Sequence, residues 1–114
     1  MSVDAALQTA LRPLGLPVFP NRYTGEELEY LVTWWTMLPE VHAGDRANAA
    51  RYLVTVGYYL PDKQNPNGML QRICTALAAA EFTCPSVTPV DETRGQHWAI
   101  ECEYCDGGYA YGAC

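Results

Sequence analysis

The chain has 114 residues, 49% hydrophobic and 18% charged, which is the composition of one globular domain and too little for two independent cores. Thirteen acidic residues against seven basic ones give a net charge of −6 at pH 7, the wrong sign for sequence-independent binding to nucleic acid, which draws its affinity from Lys and Arg on phosphates. No apolar run approaches the roughly 18 residues of a membrane span, and Asp4 stands where a secretory leader would be basic and then apolar, so a soluble product made in the cytoplasm, with no membrane partner, is expected.

The first expected element is a helix over residues 3–14. Val3, Ala6, Leu7, Ala10, Leu11 and Leu14 follow the 3,4 spacing of a single apolar stripe, Ser2 can cap the start, and Gly15 with Pro17 stops it. Val18 and Phe19 form a short strand between prolines. Residues 29–37 (EYLVTWWTM) and 51–60 (RYLVTVGYYL) are rich in β-branched and aromatic side chains and read as strands. Between them, residues 38–50 contain Pro39, Gly44 and Asn48 and read as a long connection. Asn65 as N-cap with Pro66 at the first helical position opens a second helix, whose buried stripe is Met69, Leu70, Ile73, Leu77 and Ala80 with Cys74 beside it. A strand broken by Pro85 and Pro89 runs over residues 83–90. In the last strand, residues 97–104, Trp98, Ile100, Cys102 and Tyr104 alternate with His97, Ala99, Glu101 and Glu103, which predicts one buried and one wet face.

The order α-β-β-β-α-β-β predicts one α+β domain over residues 1–104, with an antiparallel or mixed sheet of four to five strands and two helices packed on one face. A Gly-, Tyr- and Cys-containing tail, residues 105–114, would follow.

Adjacent residues of a strand point to opposite faces, so Trp34 and Trp35 aim opposite ways, as do Tyr58 and Tyr59. Two helices cover one face of such a sheet, and each aromatic side chain buries roughly 150–250 Å². Trp34, Trp35, Met37, Tyr58 and Tyr59 are therefore the candidates for a contact between copies of the chain. The alternatives are a sheet that curls and a 38–50 connection that folds back over the second face. That connection, with Glu40, His42, Asp45, Arg46 and Arg51 in or beside it, is also the candidate docking loop.

Catalytic and metal chemistry find little footing. Five cysteines leave at least one without an intramolecular partner, and in a cytosolic product all are expected to be reduced. Cys102-x-x-Cys105 with Cys114 and His97 could supply four zinc ligands, but positions 102 and 105 of one strand face opposite ways. A Cys105–Cys114 disulfide is a further alternative, and Cys102 fits best as a core residue. A redox C-x-x-C places its first cysteine at a helix start, not on a strand. The two histidines, His42 and His97, have no G-x-S-x-G nucleophile to serve, so neither an enzyme nor a cofactor is expected.

The order of motifs carries a resemblance. Leu14-Gly15-Leu16-Pro17-Val18 is followed by Tyr23-Thr24-Gly25, Gly57-Tyr58-Tyr59-Leu60-Pro61, Asn65-Pro66, Ala79-Ala80-Glu81-Phe82 and Glu92-Thr93-Arg94-Gly95-Gln96-His97. Over residues 3–104 this resembles the small tail terminator (tail-completion or minor tail) proteins of long-tailed bacteriophages, except that Glu81 stands where a Gly is common before the Phe. The resemblance implies a structural virion protein: a ring of six copies that ends the tail tube and joins it to the head connector. Its partners would be the tail tube protein and the connector or stopper protein, and DNA would pass through without specific binding. The net charge of −6 suits such a channel, with Glu101 and Glu103, or the Glu26, Glu27 and Glu29 group, as candidates to line it. A head-completion or stopper protein of the neck is the near alternative, and a small zinc- or thiol-dependent binding module the distant one.

Overall fold

A computed structural model describes residues 2–23, 25–39 and 50–106. The elements run α1 (Val3–Leu11), a 3₁₀ turn (Arg12–Leu14), β1 (Val18–Pro20), β2 (Tyr30–Pro39), β3 (Ala50–Leu60), α2 (Asn67–Ala79), β4 (Thr83–Val90) and β5 (Gln96–Asp106). The fold is α+β, with the helices and strands in the expected order.

The local chemistry accounts for the ends of the elements. The Ser2 hydroxyl accepts from the Ala5 N–H at 3.1 Å and caps α1. The expected first helix tightens into the 3₁₀ turn after Leu11, where Pro13 lacks an N–H to continue the α ladder, and Gly15 closes it at φ 85°. At α2 the Asn65 Oδ1 accepts from the Asn67 N–H at 2.9 Å, while Pro66 already has helical backbone angles. The capping pair works as its sequence predicts, with the helix boundary one residue later. At the far end of α2 the Phe82 N–H donates to the Leu77 carbonyl at 2.9 Å and the Glu81 N–H to Ala78 at 3.0 Å. That closure puts Glu81 at φ 70°, the left-handed position where helices favour glycine.

The sheet has the order β1-β2-β3-β5-β4. β1 runs parallel to β2 and the other pairs are antiparallel, so the sheet is mixed. The β2–β3 ladder extends to Pro39 opposite Ala50, so Leu38, Pro39 and Ala50 belong to strands and not to a connection. β5 likewise continues to Asp106, two residues beyond the expected end of the domain.

Both helices lie on one face. Val3, Ala6, Leu7 and Leu11 of α1, with Leu70, Ile73 and Leu77 of α2, pack against Leu31, Val54, Val56, Tyr58, Ile100 and Cys102. Phe82 leaves α2 to stack on Tyr104 at 4.7 Å. The predicted alternation on β5 holds at its middle, where Ile100 and Cys102 are buried and Glu101 is exposed, but the face expected to be wet is half-buried at His97 and Ala99.

Candidate functional site

The register sorts the strand residues into two faces. Leu31, Thr33, Trp35 and Met37 of β2 lie opposite Tyr58, Val56, Val54 and Tyr52 of β3, all on the helix side. Tyr30, Val32, Trp34 and Thr36 share the other face with Tyr59, Gly57, Thr55 and Leu53, and with His97, Ala99, Glu101 and Glu103 of β5.

Burial corrects the list of surface aromatics. Tyr58 is 1% exposed beneath the helices, and its hydroxyl donates to the Glu29 carboxylate. It belongs to the core of the protomer and has no surface to offer a neighbour. Burial and that carboxylate push its phenol far above the usual tyrosine range. Glu29 is thereby tied to the core, leaving Glu26 and Glu27 as the exposed acids of that group.

The face without helices is not bare. Tyr23 stacks on Tyr30 with centroids 3.8 Å apart, Tyr30 on Tyr59 at 4.9 Å, and Tyr59 on His97 at 4.0 Å, while Phe19 meets Tyr23 and Tyr30 edge-on. Gly57 makes room for this row: a Cβ there would lie 3.0 Å from His97 Nε2, 3.0 Å from Tyr59 Cε1 and 3.2 Å from Trp34 Cζ3. Val32 is 5% exposed, and Trp34 and Tyr59 are half-buried by their neighbours. The rings of this face cover one another, an arrangement that counting helices against sheet faces leaves out. His97 Nδ1 faces Glu92 Oε1 at 3.5 Å, and its Nε2 is buried with no hydrogen bond among the described residues. Burial lowers its pKa, with Glu92 opposing.

Exposed apolar side chains lie at the other end of β2 and β3, and also at Leu28 ahead of β2 and at Val87 and Val90 of β4. On the helix side Trp35 is 37% and Met37 46% exposed; on the opposite face Leu53 is 42% exposed. Trp35 is held by its indole N–H, which donates to Asp4 Oδ1 at 2.9 Å, and by its ring, which meets Tyr52 edge-on at 5.1 Å. Arg51 and Glu103 form an ion pair at 3.7 Å on the same face as Leu53, both partly solvated and worth at most about 1 kcal/mol. Glu101 and Glu103 therefore share a face, but Glu103 is paired and half-buried, while Glu101 is exposed. Of the docking-loop candidates, Arg51 sits in β3. Glu40, His42, Asp45 and Arg46 lie outside the described residues.

Among the described residues Cys74 and Cys102 lie near one another as free thiols, and Cys105 does not join them. Cys102 is buried on the helix side, where burial pushes its thiol up to about 12, and burial also raises Cys74. Neither is a nucleophile at neutral pH. Cys105 faces the other way and is disulfide-bonded, not the reduced thiol expected of a cytosolic chain. His97 shares that face but lies eight residues up the same strand, roughly 27 Å away at the rise of an extended chain. Among the described residues no group of three His, Cys, Asp or Glu could hold a metal ion. Cys114 lies outside the described residues. An open groove of about 580 Å³ beside α2 is lined by Asn67, Leu70, Gln71, Cys74, Thr75, Val87 and Trp98. It gathers no acid–base pair.

No family model matches the chain, and no curated protein does. A solved structure resembles it over 92% of this chain and 95% of that chain, with a TM-score of 0.55 and 19% identity, a likeness that shows the fold alone.

Proposed function

We propose that the chain is a structural subunit of a long-tailed phage particle, six copies of which form a ring that ends the tail tube and joins it to the head connector. The observation that carries this reading is the unburied apolar surface at one end of β2 and β3. Trp35 and Met37 on one side and Leu53 on the other protrude together there, from the two strands at the centre of the assembly surface proposed here. Surface of this kind is stabilised by a neighbouring subunit. Glu101 and the exposed acids Glu26 and Glu27 give a ring of these subunits anionic surface past which DNA slides without sticking.

Mass spectrometry and immunogold labelling of purified particles test the proposal. The expected result is about six copies per particle, labelled at the junction of head and tail. Absence of the chain from intact particles removes the reading, and label at the connector itself assigns it to a stopper. Trp35→Ala, which trims the protruding indole, is expected to leave the protomer folded and to reduce particle assembly. Undiminished assembly counts against the surface named here.

A further inference from the structure

β1 covers only the first part of β2. Its partners there are Leu31, Val32 and Thr33, and β1 ends at Pro20. The Leu31 N–H donates outward to the Pro17 carbonyl at 2.8 Å, and the Thr33 carbonyl accepts from the Asn21 N–H at 2.6 Å. Alternate residues of a strand aim their backbone groups the same way, so the N–H and C=O of Trp35 and Met37 point to the same side. No strand pairs with them there among the described residues. These two residues are also the exposed large hydrophobics of β2.

Free edges are normally blunted by charge, proline or shortness. The opposite edge of the sheet, β4, carries Pro85 and Pro89, which lack an N–H to donate. Residues 34–39 of β2 (WWTMLP) hold no charged residue in a chain of net charge −6. Their one proline, Pro39, shares the outward register and still offers its carbonyl.

We infer that the free edge of β2 pairs antiparallel with the same edge of a second copy, about a twofold axis at Met37. The occupant follows from three features. The β4 edge of another copy is short of donors. The slot beside Thr33 is filled by Pro20 and Asn21, which blocks registers slid that way. An edge whose own residues are uncharged, with the nearby Asp4 carboxylate bound to the Trp35 indole N–H, is also where two acidic copies meet with little repulsion. Met37 then exchanges two hydrogen bonds with Met37 of the second copy, and each Trp35 N–H reaches the other Pro39 carbonyl, about four bonds in all. Trp35 and Met37 from both copies cluster on the helix side. Such a contact closes on itself at two copies and makes no ring. It covers Trp35 and Met37, which the proposed ring would also use, so it is a state of the free chain outside the particle, and sedimentation of that chain tests it separately from the labelling of particles.

Sedimentation velocity of the full chain over a range of concentrations tests the inference, with melting curves to verify folding. The wild type is expected to dimerise. Met37→Pro deletes one outward N–H per copy and no bond within the protomer, and is expected to weaken association roughly 10- to 100-fold. Met37→Lys reads the same loss if the proline variant does not fold. Met37→Cys is expected to cross-link two copies under oxidation, identified by mass spectrometry as a peptide joined to its own duplicate through position 37. A chain that stays monomeric throughout, or a dimer indifferent to both substitutions and without that cross-linked peptide, overturns the inference and leaves the edge to a foreign strand or to none.

Discussion

Glu81 occupies a left-handed backbone position, φ 70°, at the close of α2. A side chain with a Cβ pays about 1–2 kcal/mol for that conformation, and a carboxylate beside the negative end of a helix adds about 0.3 kcal/mol of repulsion. Glycine removes both penalties but loses about 0.5–1 kcal/mol through its freer unfolded chain. The balance predicts that Glu81→Gly stabilises the protein by about 1 kcal/mol, a rise in Tm of roughly 4 °C for a domain of this size. Glu81 is exposed and makes no side-chain hydrogen bond among the described residues, so little else is lost. Two companions separate the causes in urea titrations and thermal melts. Glu81→Ala removes the charge but keeps the Cβ, and is expected to gain only a few tenths of a kcal/mol. Glu81→Asn, which tolerates the left-handed region better, is expected to fall between. A neutral or destabilising Glu81→Gly, or an Ala variant as stable as the Gly one, would refute the backbone reasoning.

Two further outcomes concern the titrating groups. Tyr58→Phe leaves the Glu29 carboxylate without its buried donor and is expected to cost about 1–2 kcal/mol in denaturant titrations. The raised pKa of Tyr58, with smaller rises at Tyr30 and Tyr59, means that the native state holds these protons more tightly. Their contribution is complete below pH 10 and declines above it, and Tyr58→Phe is expected to flatten that alkaline limb. His97 works the other way. Its pKa is lowered by burial, so its contribution is complete above pH 6.5 and is lost as the pH falls through the native value. Imidazole NMR shifts are expected to titrate below 6.5, and titration at or above 6.5 would contradict the burial.

Most of the architecture is legible in the residues. Period-3.6 stripes mark both helices, the alternation of Trp98, Ile100, Cys102 and Tyr104 marks the buried face of β5, and Ser2 and Asn65 mark their helix starts. Other features need the third dimension. Tyr58 and Tyr59 are equivalent in a strand pattern, and only the helices overhead make one core and the other surface. The closing of the second face by Tyr23, Tyr30, Tyr59 and His97 depends on register between four segments, which no local pattern encodes. The extension of β2 through Pro39 conflicts with proline's ordinary reading as a strand breaker, and is allowed because its missing N–H falls on the unpaired side. At Glu81 the one hint in the sequence is its place where the resembling proteins commonly carry Gly; the left-handed geometry itself is imposed by the bonds from Phe82 and Glu81 back to Leu77 and Ala78.

The row of rings on the second face also works as a checksum on chain alignment. Its members come from the turn after β1 and from β2, β3 and β5, and a slip of one residue in any strand would turn that strand's ring to the opposite side. Near-ultraviolet circular dichroism from the stacked tyrosines therefore reports whether these segments sit in register. The molecule thus carries an intrinsic optical marker of strand register, one that needs no added label.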